Sequence, residues 1–339
     1  MANPQQLGLD REYAARVAGM AELAAGFPQF AVGDIKGRRD FFDNMFAQFE
    51  GMTPEIPGLT ERSHPIPVSE GTTINLVEFR SSKVPTSGHS PAIFHVHGGG
   101  MILGSVETFK DSIAQKSEDY GLPIFSIDYR LAPEHPHPTM INDCYAGLAW
   151  LSSHATELGI DNTRILVLGE SAGGGIAAGL VLMARDKALQ PPIAYQMLVY
   201  PMLDDRTSVP QPRIECHTMW KTDDNSTGWT ALLGSAAGCA EAKETADHQY
   251  AAPARAKDLA GLPPTYIDVG QLDLFAKEDL QYAARLLEAG VMVEYHLYPG
   301  LPHGFERMGA GTRIVSSAIA NRLRVVEEFK RGQEVKSPV

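Results

Sequence analysis

A chain of 339 residues, 44% hydrophobic and 21% charged, is long enough for one large α/β domain with insertions or for two smaller domains. Its 29 Lys and Arg against 41 Asp and Glu leave a formal net charge of −12, which argues against general affinity for nucleic acid or anionic membrane, since both need a positive surface. Three cysteines, Cys144, Cys216 and Cys239, show no CxxC spacing, so neither a disulfide framework nor a structural zinc site is expected.

The opening MANPQQLGLDREYAARVAGM has no basic region followed by an apolar core, so no secretory signal is read. Nowhere do about 18 apolar residues run together. These features point to a soluble, cytoplasmic protein. A helix is predicted over residues 10–25, where Asp10 can cap the N-terminus and Tyr13, Val17, Met20 and Ala24 recur at helical spacing. A second amphipathic stretch puts Phe42, Met45, Phe46 and Phe49 on one face. Both helices precede the first strand signals, so they are expected outside the central sheet, in the position of a lid.

Strands are predicted over 62–68 and 74–80, joined by a turn containing Gly71 as a hairpin would be. Six short apolar runs follow, at 92–97, 123–128, 164–168, 194–200, 264–269 and 292–298. They read as parallel strands buried on both faces. Helical stretches at 108–120, 139–158, 173–187, 276–289 and 312–330 lie between most of them. Such alternation implies right-handed crossovers and a mostly parallel, eight-stranded sheet covered on both sides. Between Pro201 and Pro263 no strand is read, and a connection that long is expected to carry its own helices. The predicted organisation is a cap made of residues 1–50 and 201–262, and a catalytic core made of 51–200 and 263–339.

GESAG, residues 169–173, follows the strand RILVL directly and opens a helix-like run. Strand, sharp turn and helix make a nucleophile elbow, with the oxygen of Ser171 exposed at the tip and a helix N-terminus favouring negative charge beneath it. The plainer alternative is a serine N-cap beside a glycine-rich turn. A serine hydroxyl needs a base, and the base needs orienting. His303 stands in LYPGLPHGF, where prolines and glycines force a loop after the last strand. Asp273 lies a few residues beyond the strand PTYIDV, on the same sheet edge. Asp268 competes as the acid, but it falls within that strand. The chain order Ser171, Asp273, His303 is the α/β-hydrolase order.

The run FHVHGGGMILGS lacks the lysine and hydroxyl of a phosphate loop. Glycines after the third strand suit an acyl-transfer site instead, where N–H donors, with that of Ala172, face a developing oxyanion. Together, HGGG (97–100), YRLAPEHPHP (129–138), GESAGGG (169–175), the LDLF around Asp273 and YPGLPHGF (298–305) resemble the hormone-sensitive-lipase-like family of α/β-hydrolase carboxylesterases. The resemblance implies an α/β-hydrolase fold with a helical cap and cofactor-independent ester hydrolysis. By position it implies that Gly99, Gly100 and Ala172 donate to the oxyanion, that Gly98 shapes the turn and that His97 holds the loop.

Several other residues draw attention. His95 and His97 suggest a metal pair, but no third ligand is offered. Arg130 and Glu134 read as a structural polar network, Asp143 as a helix-to-loop salt bridge or a support for a catalytic loop, and Cys144 as packing. The sequence therefore predicts a serine esterase for short- to medium-chain acyl groups, with a small-molecule ester as partner and no metal or organic cofactor. Phe42, Phe46, Met219 and Trp220 are the candidate pocket residues; a buried dimer contact is their other reading. A lactone or secondary-metabolite ester would use the same machinery. A non-catalytic receptor on this fold is disfavoured because His303 is retained.

Overall fold

In a computed structural model, residues 7–20, 28–47, 55–69, 71–86, 88–217, 220–239 and 247–332 are described. Eight strands form one sheet: β1 (Thr60–Ser69), β2 (Thr72–Arg80), β3 (Ser90–Val96), β4 (Ile124–Asp128), β5 (Ile160–Glu170), β6 (Tyr195–Val199), β7 (Thr265–Gly270) and β8 (Val293–Tyr298). Their spatial order is β1-β2-β4-β3-β5-β6-β7-β8. The hairpin β1–β2 and the pair β2–β4 are antiparallel, and every other neighbouring pair is parallel. β3 and β7 are buried along their whole length, which explains their mostly apolar sequence, with His95 and Asp268 each hydrogen-bonded to polar partners. The carboxyl ends of β5, β6, β7 and β8 therefore share one edge.

Side chains alternate between two apolar layers, as the two-residue period of a strand requires. Phe94, Val96, Ile165 and Val167 face one layer with α4 (Thr139–Ser153), α5 (Ala172–Asp186) and α7 (Ala276–Glu288). Ile93, Leu166 and Leu168 face the other, with α3 (Val106–Tyr120) and α8 (Arg313–Lys330). Each such buried Leu, Ile or Val contributes roughly 1.5–3 kcal/mol. Helix ends follow local chemistry. Ser105 caps α3 by accepting from Thr108 N, and Gly121 closes it with φ 59°.

The other longer helices are α1 (Arg11–Val17), α2 (Ile35–Ala47) and α6 (Thr222–Leu233). Asp10 does cap α1, accepting from Glu12 N and Tyr13 N at 3.0 Å each. Of the predicted 10–25 helix, Arg11–Val17 are α-helical and Ala18–Met20 form a 3-10 turn, where Gly19 weakens helix propensity; residues 21–25 lie outside the described residues. Ala24 and Phe49 lie outside the described residues. No strand occurs among the described residues of 201–262, which form α6 and short helical turns. α2 and α6 are joined by Arg38, fully buried, whose Nε lies 2.8 Å from Asp224. Gly33 N also donates to Thr227 Oγ1 at 3.0 Å.

Two acids of α7 are buried. Glu278 accepts from Leu203 N and Asp204 N, at 2.6 and 3.2 Å, and so anchors the chain leaving β6. Asp279 is fully buried with neither carboxyl oxygen partnered among the described residues. Burial pushes both carboxyls well above the usual range, and for Asp279 the neighbouring Glu278 adds to the shift. Among the described residues no helix is long and apolar enough to cross a membrane.

Candidate active site

β5 ends at Glu170, α5 begins at Ala172, and Ser171 between them has φ 57° and ψ −124°. A non-glycine residue there is strained and persists only where its surroundings fix it. Here the neighbouring strand does so: Ser171 N donates to Val199 O at 2.9 Å, and Ser171 O accepts from Met202 N at 2.9 Å. The helix start is pressed onto the end of β3, because a Cβ on Gly173 would lie 2.1 Å from Val96 O.

Ser171, His303 and Asp273 come together from the ends of three strands. His303 Nε2 lies 2.9 Å from Ser171 Oγ, and its Nδ1 lies 2.6 Å from Asp273 Oδ2. Asp273 is 1% exposed, and its other oxygen accepts from Phe275 N at 3.0 Å. An ionised Asp273 can only accept, so Nδ1 carries the proton and Nε2 is left to take one from the serine. The rings of Tyr200 and Phe275 meet the imidazole edge-on at 4.6 and 5.3 Å. Asp268 is elsewhere engaged: Arg322 donates to both its oxygens, at 2.6 and 2.8 Å, and Tyr266 OH donates at 2.8 Å. Arg322 also pairs with Glu306.

The glycine loop lies against the serine. A Cβ on Gly98 would fall 3.3 Å from Ser171 Cβ. Gly99, Gly100 and Met101 all have positive φ, at 120°, 59° and 68°. Ile102 N and Leu103 N both donate to Gly99 O, closing the turn. None of the N–H groups of Gly99, Gly100 and Ala172 is consumed by a backbone hydrogen bond elsewhere in the described residues. Trp220, 7% exposed, lays its ring on Gly100, where a Cβ would fall 2.0 Å from the ring.

The two histidines of the third strand have separate partners. His97 is buried, with Nδ1 2.7 Å from Gly98 O, and stacks on Tyr129 at 4.2 Å. Burial lowers its pKa to about 4, so it is neutral at neutral pH. His95 bridges Ser126 and Glu170 at 2.8 Å each. Burial of Glu170 favours its neutral form, but Lys116 and His95 outweigh this and hold its carboxyl well below the usual range. No cluster of three potential metal ligands occurs among the described residues.

The predicted link between Arg130 and Glu134 is not formed. Arg130 grips Asp143 with two bonds of 2.8 and 2.6 Å, whereas Glu134 pairs with Arg39 at 2.6 Å. A buried acid on α4 holds the arginine more firmly than an exposed one in the same loop. Cys144 is buried within α4. Of the pocket candidates, Phe42 and Phe46 are neighbours at 6.2 Å, and Phe46 meets Phe109, which stacks on His97. Met219 lies outside the described residues. Arg39, Phe109 and Tyr200 were not singled out from the sequence, nor was Arg307, whose guanidinium lies over the rings of Phe46 and Phe109 at 4.9 and 5.4 Å. Tyr200, just past the end of β6, the strand that pairs with β5, could have been found by the argument that selected Asp273.

Residues 93–307 match a protein family described by its α/β-hydrolase fold. Esterase LipI of Mycobacterium tuberculosis is 35% identical over 71% of this chain and 75% of its own length. The chain belongs to the hormone-sensitive-lipase-like family of α/β-hydrolase carboxylesterases. This carboxylesterase is similar in structure to a bacterial heroin esterase, with TM-score 0.83 and 33% identity over 96% of this chain and 98% of the other. An ethyl acetate hydrolase of Pseudomonas putida is 27% identical over 90% of the carboxylesterase and 92% of its own length.

Proposed function

We propose that this serine carboxylesterase hydrolyses short- to medium-chain acyl esters through Ser171, His303 and Asp273. The observation that carries the reading is the unbroken relay from Ser171 Oγ to His303 Nε2 at 2.9 Å and from Nδ1 to Asp273 at 2.6 Å. Ser171 Oγ attacks the ester carbonyl as its proton passes to Nε2, and Asp273 stabilises the imidazolium that forms. Negative charge grows on the carbonyl oxygen, which the N–H groups of Gly99, Gly100 and Ala172 receive, Gly98 shaping the approach. Each such donor is worth roughly 10²–10³ in rate. His303 then gives its proton to the departing alcohol, and a water activated by the same imidazole releases the acid. Every proton in the cycle is carried by the chain itself.

The size preference rests on aromatic walls. Trp220 covers Gly100, and Phe42 and Phe46 reach the loop through Phe109. Residues 1–50 and 201–262 are read as the cap that closes this space, which suits a finite acyl group better than a lipid surface. That a relative is named for ethyl acetate supports the same size class.

Ser171→Ala should fold normally and lose nearly all activity, and a fluorophosphonate should label Ser171 alone. A p-nitrophenyl ester series from acetate to palmitate should peak among the shorter chains, with no jump in rate when substrate aggregates. Labelling at another serine would overturn the site, and a palmitate optimum would overturn the size class.

A further inference from the structure

Two adjacent arginines of α2 reach in different directions. Arg38 turns to α6, where it pairs with Asp224. Arg39 turns to the body. Its Nε donates to Ile102 O at 2.8 Å and its Nη2 to Ala132 O at 3.0 Å. The same guanidinium grips Glu134 through two bonds of 2.6 and 2.8 Å. Ile102 belongs to the turn that Gly99 O closes, and Ala132 N donates to Met101 O at 3.1 Å. One planar fork thus fastens the glycine loop and the 131–134 segment that lies beside it.

The loop needs such a brace. Three successive residues with positive φ, at 120°, 59° and 68°, have no helix or strand ladder to fix their peptide planes. A donor contributes to catalysis only if its N–H already points at the oxyanion, because reorientation during the reaction forfeits the gain. A guanidinium holds three acceptors in fixed relative geometry, as an ammonium cannot. Its partner stays charged, since the bonds from Arg39 draw the Glu134 carboxyl down to about 2.

We propose that Arg39 is a positioning residue for the oxyanion hole, by which helix α2 fixes the peptide planes of Gly99 and Gly100. This rests on the reading above that those two residues donate to the oxyanion. The cap would then do more than enclose substrate; part of the catalytic preorganisation would come from it.

Arg39→Met keeps the stem and removes the donors. Its kcat should fall about tenfold to a hundredfold, somewhat less than the loss of a whole donor. KM should stay within about twofold, because the ground-state carbonyl binds the hole weakly. Affinity for a trifluoromethyl ketone, whose adduct with Ser171 places an oxyanion in the hole, should fall in proportion to kcat/KM. The acid limb of the pH profile should not move, since His303 and Asp273 are untouched. Arg39→Lys should recover part of the loss. Glu134→Gln, at an exposed position, should show a smaller loss of the same kind, and it decides the matter if Arg39→Met does not fold. A lower Tm with kcat and ketone affinity unchanged would overturn the proposal and leave Arg39 as a fastening of the cap. Gly100→Ala separates the two readings. If it spares ketone affinity, the oxyanion assignment fails; if it destroys that affinity and Arg39→Met does not, only the role of Arg39 fails.

Discussion

The nucleophile elbow and the glycine loop touch at Ser171 and Gly98, yet they are held by different means. At the elbow the backbone does the work: Val199 O and Met202 N grip Ser171, and Gly173 sits against Val96 O. The loop is held largely by side chains from far along the sequence, Arg39 bonded to Ile102 O and Trp220 packed on Gly100, with His97 stacked on Tyr129 at its start. A ladder of backbone bonds fixes geometry whatever the side chains are. A loop braced by side chains can be retuned by a single substitution at one of them.

The comparison breaks hardest at the relay that serves the elbow. Asp273→Asn should reduce kcat by roughly 10⁴, because the imidazole loses both its tautomer and its counter-charge. Asp268→Asn should instead lower stability by about 3–5 kcal/mol, since it weakens the buried pair with Arg322, and leave kcat nearly unchanged. Steady-state kinetics and urea melts of the two variants decide this, and the reverse ranking would remove Asp273 from the mechanism.

Next in size is a pair of glycine substitutions. Gly173→Ala sets a methyl 2.1 Å from a strand carbonyl that cannot yield, so the elbow should fail to fold around it. Gly100→Ala meets the edge of Trp220, a side chain that can move, together with about 1–2 kcal/mol of left-handed backbone strain. It should fold and lose about 10² in kcat. Circular dichroism and kcat on both variants test the contrast between a backbone-built and a side-chain-built half.

A smaller effect concerns acid. His97 is neutral when folded, with a pKa near 4, but its unfolded value is near 6.5. Between those values the unfolded chain binds the extra proton, so this residue's contribution to stability is present above pH ~6.5 and lost as pH falls toward 4. The full loss is about 3 kcal/mol. His97→Gln should flatten that part of the pH dependence relative to the parent, as urea melts at several pH values would show. The smallest effects belong to the walls. Alanine at Phe42 or Phe46, both only half-buried, should shift selectivity between acyl lengths by several-fold with little change in Tm. Equal losses of Tm with selectivity unchanged would leave these rings as packing.

Much of this was legible in the sequence, for physical reasons that differ by element. The runs of β3 and β7 could be read as parallel strands because both faces of each are covered, whereas β8, at the sheet edge, is only partly buried. GESAG was informative because its small residues are demanded by a turn contained within five positions. Asp273 was separable from Asp268 because one lies beyond the strand and the other inside it. Arg39 left no such trace. Two of its three acceptors are carbonyls, 63 and 93 residues away, and any residue type supplies a carbonyl. The pairing of Arg130 with Asp143 was obscured likewise, since proximity in sequence favours Glu134 and burial on α4 decides otherwise.

The two buried acids of α7 carry a consequence for calorimetry. Glu278 and Asp279 keep their protons at pH values where the same groups in an unfolded chain have released them. Their contribution to stability is complete below the unfolded carboxylate range, near pH 4, and declines as pH rises through the elevated folded values. Unfolding at a pH between the unfolded carboxylate range and the raised folded values should therefore discharge protons into the buffer. The heat recorded on melting then contains the buffer's own heat of protonation, so phosphate and Tris should give different unfolding enthalpies for the same protein at the same Tm. The slope of measured enthalpy against buffer ionisation enthalpy counts the protons released, and Asp279→Asn should lower that count.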